Sequence, residues 1–322
     1  MSHIVVTGGA GFIGSNLTDA LLAAGHRVRV LDNLSTGSEA FLAEARANPR
    51  FEMVTTDLVE NAEQLPELVS GVDAVVHLAA NADVRFGWDH PRRDLVQNTI
   101  ATHNVLEAMR LSGVRRVVFA STGSVYGEPA AIPTPEGCAF PLQTSLYGAS
   151  KAAAEGLIEA YAEGAGLRAT IFRFVSILGP RYSHGHVLDF TRQLRGDPTR
   201  LFVLGDGTQR KSYLHVSDCC AAVLSLLDAD HRCEVYNLGV DDYCTVNDSV
   251  GWICARLDVQ PLIEYGGGDR GWVGDNPFIY LDTAKIRATG WEPRRSIREA
   301  VEATVDDLVA NPWVLEIPAQ RR

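Results

Sequence analysis

The sequence predicts an α/β protein built on a doubly wound parallel sheet, with a smaller, mixed α/β lobe. Three observations carry that expectation. A β-branched strand at the start of the chain runs into a glycine loop and then a helix; strand-like apolar runs alternate with helical stretches through the first half; and after residue 175 the alternation gives way to glycine- and proline-rich sequence.

The first strand is residues 3–7, followed by Gly8-Gly9-Ala10-Gly11-Phe12-Ile13-Gly14 and a helical pattern from Leu17 to Leu22. Strand, glycine loop and helix is the context in which a backbone without Cβ atoms approaches a pyrophosphate, whose charge then sits on the helix N-terminus. The second strand, residues 27–31, ends in Asp32, where an acid accepts a hydrogen bond from an adenosine ribose and repels a 2′-phosphate. NAD is therefore expected rather than NADP. Further strands are expected over residues 51–56, 72–78, 116–120 and 169–174, with helices over 99–111 and 151–165. Two strand ends run into small or polar residues, at Ala79-Ala80-Asn81 and Ser121-Thr122-Gly123-Ser124. Ligands bind beyond the carboxyl ends of strands in such sheets, so chemistry is expected there. A later apolar run, residues 235–239, reads as a strand returning to the sheet. The Rossmann-type domain is thus expected over 1–174 with a returning segment at about 214–240, and the lobe over 175–213 and 241–322.

Tyr147 and Lys151 lie four apart at a helix start, on one face. A phenol of pKa about 10 is a poor base at neutral pH. An ammonium within ~4 Å, at an effective dielectric near 20, favours the phenolate by roughly 4 kcal/mol, about three pKa units. The pair is therefore expected to move protons.

Net charge is −11, and neither a basic run nor an arginine stripe is present, which argues against nucleic-acid or anionic-membrane partners. Six scattered cysteines without C-x-x-C spacing point to reduced thiols rather than a zinc site or disulfide framework. His184 and His186 lack a third ligand, so no metal is expected. No apolar run reaches membrane-spanning length and the chain opens directly on a strand, so a cytoplasmic location is expected.

Seven motifs in order resemble the nucleotide-sugar epimerase/dehydratase family of extended short-chain dehydrogenases/reductases, and most of all its UDP-galactose (UDP-glucose) 4-epimerases. They are T-G-G-A-G-F-I-G-S, D-N-L-S-T-G, H-L-A-A, S-T-G-S-V-Y-G, Y-G-A-S-K, G-D-G-T-Q-R-K-S-Y-L-H-V-S-D, and L-D-T-A-K ending in G-W-E-P-R. The resemblance implies that Tyr147 takes the proton of a sugar 4-hydroxyl while hydride passes to bound NAD. Lys151 would hold the nicotinamide ribose and lower the tyrosine pKa, and Thr122 would bind the same sugar oxygen. It places Gly8, Gly11, Phe12, Ile13 and Gly14 at the pyrophosphate, and Asp32, Asn33, Ser35 and Thr36 around the adenosine ribose. Asp57 and Leu58 would lie by the adenine, Leu78, Ala79 and Ala80 along the route to the nicotinamide, and Ser121 and Asn98 among the polar cofactor contacts.

Dehydratases of this family carry an acid/base pair beside the catalytic threonine, and UDP-glucuronate decarboxylases usually a glutamate just before the valine. Here the run is Thr122-Gly123-Ser124-Val125-Tyr126, without a carboxylate, which leaves C4 epimerisation through a 4-keto sugar. Ser124 would touch the sugar or only its own loop. On the substrate side the resemblance implies Ser176, His186, Val187, Lys211 or its neighbour Arg210, Arg270 and Asp275. Ser176 stands where many epimerases have asparagine, which keeps a uronic-acid substrate open, as a UDP-glucuronate 4-epimerase or decarboxylase. A regulator that senses NAD without catalysis would have lost Tyr147, Lys151 and Thr122. Helices 99–111 and 151–165 carry Ala/Leu-rich faces of the kind that pair into a four-helix interface in this family, so a homodimer is expected.

Overall fold

The computed structural model describes residues 1–82, 87–139, 142–272, 274–276 and 278–317. The chain forms two compact units, one of Met1–Val125, Ser145–Arg173 and Cys220–Tyr236, the other of Tyr126–Thr144, Phe174–Cys219 and Asn237–Arg322. The division differs from the expectation in two places. Residues 126–144 group with the second unit, and the returning segment is shorter. Thr134 explains the first difference, because its amide and carbonyl pair with the Tyr280 carbonyl and the Asp282 amide at 2.9 Å each.

The first unit is organised on a seven-stranded parallel sheet. Its strands are β1 (His3–Thr7), β2 (Arg27–Asp32), β3 (Phe51–Thr55), β4 (Ala74–His77), β5 (Arg116–Thr122), β6 (Arg168–Phe174) and β7 (Cys233–Leu238), in the order β7-β6-β5-β4-β1-β2-β3. The register pairs Val5 with Arg29 on one side of β1 and with Val75 on the other. Strand order reverses at β1, so the carboxyl ends of β1 and β4 flank the switch point where such sheets bind ligands. Helices α1 (Phe12–Ala23), α2 (Ala101–Ser112) and α3 (Leu146–Ala165) follow strands or loops of this unit, α2 entered through a π-helical turn over Leu95–Ile100. One buried cluster joins sheet residues Val5, Val75, Val117, Phe119 and Ile171 to Val105, Leu106 and Met109 of α2 and Ala154 and Ile158 of α3. Continuous apolar strands are what a sheet covered on both faces requires.

The second unit is mixed α/β. Ser176–Leu178 pairs with Tyr213–His215, Arg200–Val203 with Leu262–Tyr265, and Arg210–Lys211 lies between Cys244–Thr245 and Phe278–Ile279. Its helices Val246–Leu257 and Ile297–Ala310 each begin in a capping box, Thr245 with Asp248 and Ser296 with Glu299. Among the described residues no helix is long and apolar enough to cross a membrane.

Candidate active site

The glycine loop divides into glycines that close it and one that opens it. Gly8 has φ +68°, and a Cβ there would lie 2.7 Å from the Ala79 amide nitrogen; a Cβ on Gly14 would lie 2.1 Å from the Gly8 carbonyl oxygen. These two let β1, β4 and α1 meet. A Cβ on Gly11 would meet only the Gly8 oxygen, at 3.2 Å, and Gly11 is the N-cap of the twelve-residue α1 without any side-chain cap. The result is a helix N-terminus walled by backbone, with Phe12, Ile13 and Gly14 as its first residues, which suits an anion.

Asp32, at the end of β2, is buried and spends both oxygens on this region. Oδ2 accepts from the Ala10 amide at 2.9 Å and Oδ1 from the Leu34 amide at 2.8 Å. Burial raises its pKa, and those two bonds oppose the rise. Asn33 donates to Asp57 Oδ2 at 2.7 Å and accepts from the Ser35 amide, while Ser35 and Thr36 are exposed beside them. Leu58 is buried, with its carbonyl held by Asn104, and Leu78, Ala79 and Ala80 lie half-buried past the end of β4.

Helix α3 begins where Ser145 Oγ accepts from the Gly148 amide at 3.0 Å, which puts Tyr147 in the first turn and Lys151 one turn on. Lys151 is 2% exposed; its ammonium donates to the Ala120 carbonyl at 2.9 Å and stands 4.7 Å from the centre of the Phe119 ring. Burial lowers its pKa to about 8, against the pull of Glu155 and Asp94. Burial instead pushes the Tyr147 phenol up to about 12, opposed by a hydrogen bond with Thr122 and reinforced by the charge of Asp94. The expected lowering of the phenol pKa by Lys151 is not what the site shows: the phenol is raised, and the Lys151 ammonium is hydrogen-bonded to the Ala120 carbonyl of β5. Thr122 Oγ1 accepts the Ser124 amide and lies 3.2 Å from Ser124 Oγ, so Ser124 is tied to its own loop.

Behind the pair lie residues that sequence reasoning missed or assigned otherwise. Asn98 is fully enclosed. Its Nδ2 donates to Ser150 Oγ at 2.9 Å, its Oδ1 accepts the Asn81 amide at 2.8 Å, and Ser150 in turn donates to the Tyr147 carbonyl at 2.8 Å. Its side chain thus braces α3. Asp94 is buried beside it and accepts from Asn81 Nδ2 at 2.7 Å. The Ser121 hydroxyl, expected at the cofactor, donates to Glu155 Oε1, and Arg173 forks onto the same carboxylate. The spacing of Glu155, four beyond Lys151, is the one signal that could have found this cluster.

In the second unit Lys211, Arg270 and Asp275 come together. Lys211 pairs with Asp275 Oδ1 at 2.8 Å and also donates to the Asn276 carbonyl; Arg270 donates to the Asp275 carbonyl at 2.8 Å and pairs with Glu128 at 2.6 Å. Arg210 does not join them. Its guanidinium lies 3.9 Å from the centre of the Phe278 ring. His186 Nε2 meets Ser249 Oγ at 2.8 Å, and burial, with Lys211 assisting, lowers its pKa to about 4. The Val187 side chain is wholly in the core, whereas Ser176 is exposed. Val273 and Pro277 lie outside the described residues. Among the described residues no group of three His, Cys, Asp or Glu side chains could hold a metal.

A doubly wound sheet with a glycine loop, an acid after β2 and a tyrosine–lysine pair opposite the end of β5 defines a dinucleotide-binding fold equipped for proton transfer. The model of the NAD dependent epimerase/dehydratase family matches residues 4–239, and the chain belongs to that family. It is 32% identical over 311 residues to the putative UDP-glucose 4-epimerase of Methanocaldococcus jannaschii, covering 94% of this chain and 97% of that one. It is 34% identical over 315 residues to UDP-glucuronic acid decarboxylase 1 of Arabidopsis thaliana, covering 95% and 69%. A crystal structure of a UDP-galactose 4-epimerase superposes with a TM-score of 0.85 at 39% identity, over 97% of this chain and all of that one. The family's cofactor fits the residues present, since Gly11 leaves its backbone bare at a helix N-terminus and Asp32 stands at the end of the adjacent strand.

Proposed function

We propose that this chain is an NAD-dependent UDP-sugar 4-epimerase, acting on substrates of the UDP-glucose/UDP-galactose type through a transient 4-keto sugar. The observation that carries the reading is the end of β5. Thr122 faces Tyr147 through a hydrogen bond, and the next two positions, Gly123 and Ser124, supply no carboxylate that could shuttle protons for elimination.

The first unit would bind the dinucleotide through Gly11 to Gly14 and the residues after β2. When bound, NAD supplies the acceptor and donor of hydride. Tyr147 takes the proton from the sugar 4-hydroxyl and later returns it; Thr122 holds the same oxygen; and we assign to the Lys151 ammonium the task of favouring the phenolate, which burial of Tyr147 disfavours. Within the second unit, Ser176, His186, Val187, Arg210, Lys211, Arg270 and Asp275 are the residues we assign to the nucleotide sugar, while Ser124 serves its own loop. Lys211 and Arg270 are the cations we assign to the diphosphate, Arg270 with the planar fork that takes phosphate bidentately. The exposed hydroxyl of Ser176 favours one second reading, a substrate with a C6 carboxylate such as UDP-glucuronate.

We assign the protein to the cytoplasm as a homodimer. Its scattered cysteines, without C-x-x-C spacing, suit a reducing compartment, and Ile100 and Leu111 are exposed on α2 and the turn before it. Sedimentation showing only monomer at micromolar protein would remove the dimer. The function is tested by incubation with UDP-glucose, UDP-galactose, their N-acetyl forms and UDP-glucuronate, with products read by proton NMR. Interconversion at C4 with NAD(H) retained after desalting supports it; carbon dioxide from UDP-glucuronate would replace it with decarboxylation.

A further inference from the structure

Two consecutive residues of β5 hold two residues of α3 that lie one turn apart. The Ala120 carbonyl takes the Lys151 ammonium at 2.9 Å, and the Ser121 hydroxyl takes the Glu155 carboxylate. From the neighbouring strand β6, Arg173 closes on that carboxylate, Nε to Oε1 at 3.1 Å and a terminal nitrogen to Oε2 at 2.7 Å, with both side chains at most 5% exposed. We propose that Glu155, clamped by Arg173 and Ser121, is a positioning residue that keeps Lys151 charged and seated at the end of β5. The proposal rests on the reading of Tyr147 and Lys151 as the proton-transfer pair.

The charges enclosed here explain why a carboxylate is needed. Among the described residues Lys151 and Arg173 are buried cations, and the buried carboxylates beside them are Glu155 from α3 and Asp94 from the short helix Pro91–Asp94. Three other titratable side chains coupled to these residues are shifted toward their neutral forms. Burial pushes Tyr147 up to about 12, the Cys233 thiol on β7 up to about 11, and His77 on β4 down to about 3. Without Glu155, a forked guanidinium and an ammonium would share the interior with one carboxylate, and the ammonium is the one that can lose its proton. Glu155 heads the influences that hold the Lys151 pKa up.

The sequence offers a direct probe, since it contains three lysines, Lys151, Lys211 and Lys285. Protein labelled with carbon-13 at lysine Cε should give three resonances, and Lys151→Met identifies one by removing it. In Glu155→Gln the Lys151 resonance should titrate roughly one pH unit or more below its midpoint in the parent, and the alkaline limb of the epimerisation rate should move down by the same amount. Glu155→Asp should restore part of the shift. Because leaving one partner of a buried pair is strongly destabilising, the neutral pair Glu155→Gln/Arg173→Gln provides the decisive variant should the single one not fold: it removes one charge of each sign, so the midpoint should stay near the parent's, and a fall of a pH unit or more there would overturn the charge balance. An unmoved Lys151 midpoint in folded Glu155→Gln overturns the proposal and leaves the pair a packing element. A shifted midpoint in a protein whose parent does not epimerise any UDP-sugar overturns the functional reading instead.

Discussion

Thr122 Oγ1 and Ser124 Oγ lie 3.2 Å apart and Thr122 accepts the Ser124 amide at 3.1 Å, so Ser124 is bound into the turn that supports Thr122. Ser124→Ala should therefore leave epimerisation within about threefold of the parent. Thr122→Val removes a hydrogen bond that holds the Tyr147 phenol down; at about 0.5–1.5 kcal/mol for such a bond, the rate should fall roughly 2- to 13-fold. Initial rates at matched cofactor content check both, and a larger loss at Ser124 than at Thr122 would reverse the assignment.

Tyr147→Phe should lose at least about 100-fold in rate while still retaining NAD, since positioned acid–base transfer contributes on that order. The pH profile has a worked direction. With the phenol near 12, the phenolate fraction rises with pH through the neutral range, while Lys151 gives up its proton near 8. The oxidation half-reaction should therefore accelerate from about pH 6 to 8 and then flatten or fall. A flat profile over that range would contradict proton transfer by Tyr147.

Gly14→Ala places a methyl where the Gly8 carbonyl oxygen stands, 2.1 Å away, with the Gly9 Cα at 2.7 Å. Neither neighbour is a flexible side-chain end, so the loop must shift, at a cost of about 1–3 kcal/mol. The melting temperature should drop by at least ~2 °C, and NAD retained after desalting should fall. Parent-like values of both would show that the loop is looser than its contacts imply.

His77, fully enclosed between Thr7 and Thr102, should make the first unit sensitive to acid. Thr102 donates to the Asn98 carbonyl, so His77 Nε2 carries the hydrogen toward Thr102 and Nδ1 accepts from Thr7 at 2.6 Å. Burial, then the charge of Lys151, brings its pKa down to about 3. A base depressed in the folded state takes up its proton more readily when unfolded. Its contribution is thus complete above about pH 6.5 and is lost as pH falls toward 3, by up to about 1.4 kcal/mol per unit. Between pH 7 and 5 the parent should lose about 2 kcal/mol more stability than His77→Gln in urea titrations. Equal losses would place the acid sensitivity elsewhere.

Where neighbours in space are neighbours in sequence, the fold could be read directly. β1, the glycine loop and α1 form one continuous run; β2 ends on Asp32; and Tyr147 and Lys151 meet because a helix turn brings i and i+4 together. Even the return of β7 to the sheet was legible, from one apolar run at residues 235–239. Residues 126–144 were not, since they hold no periodic pattern and their partners around Tyr280 lie well over a hundred positions later. Nor was the pairing of Arg173 with Glu155. The carboxylate belongs to a different element, and local spacing on β6 carries no trace of it. The same holds for Ser121 and Asn98, whose side chains look outward in the motif but are consumed by Glu155 and Ser150.

The double grip of Asp32 on the Ala10 and Leu34 amides bears on how this lineage could change its redox currency. Removing the acid to admit a 2′-phosphate would also unfasten the turn that shapes the glycine loop. A switch to NADP is therefore not a one-letter change: it needs a partner substitution that supplies new acceptors for two backbone amides. Single-step drift away from NAD is discouraged by the architecture itself.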